Sequence, residues 1–224
     1  LSPLASAAGM AFAEGIFSVN KLRENVKTVV ESTTPTDAVD VYDAISIAKP
    51  GGLGKAPKLD VTDPASKKRI LGEQVTLFDV FKIAAEWDSI ASEWVNNYPI
   101  TFDLGYPYFS QQLQGVGDIN VATVHTFLKI LSEVPDTLIV RKFGLAKAKE
   151  VSMKARHVLE VGGLLTPEGK RSLWGLDGDL RKGSQKLNPG TTADITAAVL
   201  AISILNGYRP VSYTHLRAHE TVLD

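Results

Sequence analysis

The chain has 224 residues, 44% hydrophobic and 22% charged, with 24 basic against 25 acidic side chains and no cysteine. That length suits one domain with a sizeable core. The near-zero charge balance excludes a global pull on nucleic acid or an anionic membrane, and the missing cysteines exclude disulfides and thiolate metal sites and fit a reducing, cytoplasmic compartment. No apolar run approaches the ~20 residues needed to cross a bilayer.

Residues 1–19 are rich in Ala and Leu and read as the end of a buried helix, so the chain is expected to lack an N-terminal portion. Residues 21–31 predict a short amphipathic helix. Thr34-Pro35-Thr36-Asp37 is a helix start, with a Thr cap, Pro in the first turn and Asp near the positive dipole end. That helix runs to Ala48 and stops at Pro50-Gly51-Gly52-Leu53-Gly54-Lys55, after which residues to about Gln74 read as loop.

Thr76 with Asp79 opens one long helix in which Leu77, Val80, Phe81, Ala84, Trp87, Ala91, Trp94 and Val95 recur at helical spacing. Residues 98–117, with Tyr106, Tyr108 and Phe109, read as a long aromatic loop, either a functional lid or a packed connection. Asn120 is expected to cap a helix broken at Pro135, and Asp136 to begin another. After Gly144 a helix spans about residues 145–160, and Thr166-Pro167-Glu168 starts a further short one. Asn188-Pro189-Gly190-Thr191-Thr192 leads into a last apolar helix over residues 193–205. No segment alternates like a strand, so the expected fold class is all-α, a single-domain array of roughly antiparallel helices.

Residues 211–221 read VSYTHLRAHET, which is the translation of a common transposase sequencing adapter. Residues 211–224 are therefore expected to be a non-native tail, and residues 1–210 the domain proper. Removing Arg217, Glu220 and Asp224 takes the counts from 24 and 25 to 23 and 23. His215 and His219 leave with the tail, so their four-residue spacing carries no metal site.

Four motifs carry candidate chemistry. NPGTTAD (residues 188–194) offers Asn188, Gly190 and Thr191 at a helix N-terminus, an anion site by its unpaired N–H groups and dipole, or else a plain capped start. PGGLGK places Gly51, Gly52, Gly54 and Lys55 where backbone and one cation can cradle phosphates, without the spacing of a P-loop. PDTLIVRKFG brings Asp136 together with Arg141 and Lys142, a metal–phosphate grouping or a solvated helix end. In LDGDLRKG, Asp177 and Asp179 flank Gly178 ahead of Arg181 and Lys182, a pair able to hold Mg²⁺ or an Asx-type turn. His125 and His157 are single, and are expected to be helix-face residues.

In this order on a helical chain, VYDAISIAKPGGLGK, PDTLIVRKFG, VLEVGG and LDGDLRKGSQKLNPGTTADITAA resemble the triphosphoribosyl-dephospho-CoA synthase family, in its archaeal branch. The likeness covers nearly all of residues 1–210, with the family's N-terminal PKPG-type motif missing. It implies transfer of the triphosphoribosyl group of ATP to the 2′-hydroxyl of 3′-dephospho-CoA, with release of adenine. Such chemistry needs a neutralised triphosphate, a carboxylate beside the anomeric carbon, a base and a proton donor. The expected assignment is Asp136, Asp177 and Asp194 as catalytic carboxylates. Asp136, Asp177 and Asp179 are the expected Mg²⁺ ligands. Gly51, Gly52, Gly54, Lys55, Arg141, Lys142, Arg181, Asn188, Gly190 and Thr191 are expected to hold ATP. The expected partners are the two small substrates, with no nucleic acid and no membrane. The alternatives are a Mg²⁺-dependent helical hydrolase of N-glycosidic or ADP-ribosyl bonds, and a non-catalytic nucleotide-binding domain.

Overall fold

The computed structural model describes residues 1–51, 53–182 and 187–208, so Gly52 and the expected tail at 211–224 lie outside the described residues. Among the described residues there are helices and no strands. In chain order they are α1 (Ser2–Ala13), α2 (Val19–Glu31), α3 (Pro35–Ala48), α4 (Ala65–Gly72), α5 (Leu77–Ala84) and α6 (Ser89–Val95), then a π-helix (Ile100–Gly105). After it come α7 (Tyr106–Val116), α8 (Ile119–Glu133), α9 (Thr137–Phe143), α10 (Leu145–Glu160), a 3₁₀ turn (Gly163–Leu165), α11 (Pro167–Arg181) and α12 (Gly190–Leu205). The all-α expectation holds, and no described helix is long and apolar enough to cross a membrane.

The core is organised by α12, a largely apolar helix that buries Ile195, Ala198, Val199 and Ile202. Its Ala198 and Ile202 pack with Leu4, Leu22, Val26 and Phe102 from α1, α2 and the π-helix. Its Ile195 and Val199 pack with Phe109, Ala122 and Ile130 from α7 and α8. A third cluster, built on Leu128, Ile139, Val151, Val158 and Leu176, joins α8 to α11. A fourth, around Ala38, Tyr42, Ile70 and Leu77, joins α3, α4 and α5.

Several local expectations change. The stretch read as an aromatic loop is helical, as the π-helix and α7. Its prolines occupy first-turn or cap positions, where a missing N–H costs nothing, and Phe102 and Phe109 are core residues. The single helix expected from Thr76 to Val95 is two helices, because Asp88 turns its carboxylate onto the N–H groups of Ile90 and Ala91 and restarts the coil. Asp118, not Asn120, caps α8. The segment read as loop up to Gln74 contains α4, and the last helix starts at Gly190. The helix after Thr166 is not short: it runs 15 residues and takes up Leu176-Asp177-Gly178-Asp179.

Candidate active site

Three helix N-termini meet at one point. Asp136 caps α9, its Oδ1 accepting from the N–H groups of Leu138 at 2.9 Å and Ile139 at 3.1 Å. Its Oδ2 reaches across to α12 and accepts from the Thr192 N–H at 2.8 Å and the Thr192 hydroxyl at 2.9 Å. The hydroxyls of Thr137 and Thr191 bond at 3.1 Å, and Thr137 also accepts from Ser89 N–H at the start of α6. This hub is dry: Asp136 is 2% exposed and Thr192 1%. Gly190 sits close by, where a Cβ would lie 2.8 Å from Leu138 Cδ2 and turn that side-chain end aside.

Three cavities surround the hub. One of about 250 Å³ lies between α3, the segment 53–61, α5 and α6, and is lined by Gly54, Lys58, Asp60, Asp88 and Arg141 on its polar side. Asp88 spans two roles there, capping α6 with one oxygen while the other pairs with Arg141. Lys55, exposed beside this cavity, contributes its charge to Asp60. A second cavity of about 570 Å³ is lined by Lys142, Asp177, Arg181, Asn188 and Pro189 over an aliphatic floor. A third, of about 330 Å³, holds Glu93, Tyr98, Thr101 and Asp194.

Two carboxyls in the third cavity have raised pKa values. Burial pushes Glu93 up, against the hydrogen bonds it accepts from Thr101 and from Ile100 N–H at 2.7 Å. Partial burial raises Asp194, and the negative charges of Asp136 and Asp88 add to the effect. The backbone beside Glu93 is left-handed at both Asn97 (φ 60) and Tyr98 (φ 58), a strain that clusters at functional sites.

The structure corrects part of the expected site. Asp136 is a fully hydrogen-bonded cap, with both oxygens engaged twice, and offers no lone pair to a metal or a substrate. Asp177 and Asp179 lie two residues apart on α11, hence about 200° apart around it, and do not converge. Asp177 pairs with Arg181 at 2.8 Å, whereas Asp179 pairs with Lys154 and Lys182, whose cations pull its carboxyl down to about 2. Among the described residues no group of three or more His, Asp or Glu side chains is placed to hold a metal ion. Thr191 is spent on Thr137, and Gly51 sits in the turn after α3. Gly54 and Arg141 meet in the first cavity, Lys142, Arg181 and Asn188 in the second, and Asp194 stands alone of the predicted set in the third.

Sequence reasoning missed Asp88 and Glu93, which looked like ordinary positions on one long helix. The signal available for Asp88 was Asp-Ser directly after Trp87, a helix-start pair inside an apolar run. His125 is structural, accepting Leu164 N–H at 2.9 Å and facing Gln112.

An all-helical array gathered on a central apolar helix is a fold already known. It matches a solved structure from Archaeoglobus fulgidus, assigned as a triphosphoribosyl-dephospho-CoA synthase, at a TM-score of 0.71 and 23% identity, over 92% of this chain and 80% of that one. The family described as ATP:dephospho-CoA triphosphoribosyl transferase matches residues 1–212, and the chain belongs to it. A 2-(5″-triphosphoribosyl)-3′-dephosphocoenzyme-A synthase of Klebsiella pneumoniae is 32% identical over 97 residues, 43% of this chain and 32% of that protein. A protein of Stutzerimonas stutzeri assigned the same activity is 32% identical over 111 residues, 49% of this chain and 37% of that protein. The matches therefore span about a third of the length of these curated relatives.

Proposed function

We propose that the chain, through residues 1–210, carries the transfer of triphosphoribose from ATP to the 2′-hydroxyl of 3′-dephospho-CoA, in the cytoplasm. Family membership supplies the reaction class, and one observation supports its place in the molecule. Asp88 and Asp194, each close in sequence to a hub residue, line two of the cavities, and Arg141 and Lys142, consecutive on α9, line the first and the second.

In the transfer the C1′–N9 bond breaks and its electron pair leaves with adenine, which takes up a proton. The acceptor oxygen bonds to C1′ and gives up its own proton. Positive charge developing at C1′ is stabilised by a carboxylate held nearby, and Asp194 in the third cavity is the candidate. Asp194, with its raised pKa, is suited to moving a proton at the reacting centre. Lys142, Arg181 and Asn188 are suited to the triphosphate, as two cations and an amide donor in one cavity. Mg²⁺ belongs with the triphosphate itself, which binds it readily with one or two carboxylates, rather than to a protein cage.

The test is to incubate the purified protein with ATP, Mg²⁺ and 3′-dephospho-CoA while following free adenine and acceptor mass. Adenine release that requires dephospho-CoA, with a matching gain in acceptor mass, is the expected result. Adenine release without dephospho-CoA would replace the transferase with a hydrolase, and ATP binding without release would replace it with a binding domain.

A further inference from the structure

The cavity between α3 and α5–α6 differs in character from the other two. Its walls are aliphatic and aromatic: Phe81, Ala84 and Trp87 from the α5 region and Tyr42 from α3 line it. Phe81 is fixed from behind by Trp94, edge to face with centroids 4.5 Å apart. The opposite wall is also held rigidly. Tyr42 donates its hydroxyl to the Leu59 carbonyl, and Asp60 accepts from Ala56 N–H at 2.6 Å and Thr62 N–H at 2.7 Å. The segment 53–61 is thereby a built surface, stapled at both ends of its turn.

Charge decides what such a recess can take. Among the described residues that line it, the cations Lys58 and Arg141 are matched in number by Asp60 and Asp88, and Arg141 is already paired with Asp88. A neutral recess has nothing to hold a tetra-anionic triphosphate. Flat aromatic walls and apolar sides suit a neutral, planar heterocycle, which gains stacking and loses little hydration. At about 250 Å³ the space lies at the lower edge of small-molecule sites and is too small for a whole nucleotide coenzyme. Arg141 lines it, one residue from the Lys142 that lines the second cavity with Arg181 and Asn188.

We propose that this recess is the slot for the adenine base of ATP, with the stacking face supplied by Trp87 and Phe81. The proposal rests on the transferase reading for the identity of the nucleotide, and it deepens that reading by stating where the base is held before it departs.

Adenosine, which has the base without the phosphates, is the probe. Titrated into the full chain it should quench tryptophan fluorescence saturably, and Trp87→Phe should remove the quench. Ala84→Phe, which fills the slot, should weaken adenosine binding by tenfold or more while circular dichroism stays unchanged. Ala84→Leu is the smaller replacement if the first fails to fold, with the same direction expected. No saturable quench in the wild type, a quench that survives Trp87→Phe, or wild-type affinity in a folded Ala84 variant would each overturn the slot. The adenine-release assay separates the two claims. Dephospho-CoA-dependent release with an unchanged KM for ATP in the Ala84 variant removes the slot and leaves the reaction. Adenosine binding at Trp87 without any transfer leaves the slot and removes the reaction.

Discussion

Two stretches of this chain look alike as sequence and behave oppositely as structure. PDTLIVRK sets one aspartate, and LDGDLRK two, ahead of an Arg-Lys pair. In the first, Asp136 is buried and ties helices whose hydrogen-bonded residues lie 56 positions apart. In the second, Asp177 and Asp179 sit along one helix and pair with cations at its surface, in part only three or four residues away. A carboxylate surrounded by fixed N–H and O–H donors becomes part of the framework. One that faces water and flexible cations contributes little to stability and stays chemically free. The comparison separates what holds the site from what can act in it.

The sharpest way to break the comparison is Asp136→Ala. It strands two N–H groups of α9 and the Thr192 N–H and hydroxyl in a dry environment, and should cost about 4 kcal/mol of unfolding free energy in urea titration. A loss below about 1 kcal/mol would mean that the hub is not what joins α9 to α12.

Next in size is Gly169→Ala, which asks what anchors α11 if its surface charges do not. A Cβ at Gly169 would lie 2.1 Å from the Gly163 carbonyl oxygen and 2.4 Å from the Gly163 nitrogen, backbone atoms that cannot rotate away. A loss of about 3 kcal/mol is expected, at the upper end of overpacking costs. Near-neutral behaviour would show that the start of α11 is free to shift.

A smaller effect tests whether buried carboxylates must all behave like Asp136. Glu93 is buried too, but burial outweighs its hydrogen bonds and raises its pKa above the ordinary 4.5. Its protonated form is therefore favoured by folding. The stability it contributes is present below the ordinary value and is lost as pH rises through the raised one. Glu93→Gln should show a flatter fall in stability across that window, measured as midpoint against pH. An equally steep fall would assign the pH dependence to another group.

Smallest of all, Asp177→Asn and Asp179→Asn should leave the melting temperature unchanged, since both residues only exchange one solvated partner for another. Their activity is the informative readout. Abolished transfer in a variant with unchanged melting would return a catalytic role to the α11 surface.

The sequence by itself determined the helical class, because apolar residues recur at helical spacing and no stretch alternates. It also determined the starts of α3, α5 and α9, because Thr34, Thr76 and Asp136 bond to N–H groups two or three residues ahead and need nothing distant. The family was legible for a similar reason, as its motifs are contiguous strings. What only the tertiary structure decided is which carboxylates are spent. Asp136 looked like a catalyst until Thr192 arrived to fill its second oxygen, and Asp177 and Asp179 looked like a metal pair until a helix turned them apart. The long aromatic stretch became helix because Phe102 and Phe109 had a core to enter. A side chain's local bonds are written in its neighbours, but whether its remaining valence is left for chemistry depends on contacts across dozens of residues, and no local pattern encodes them.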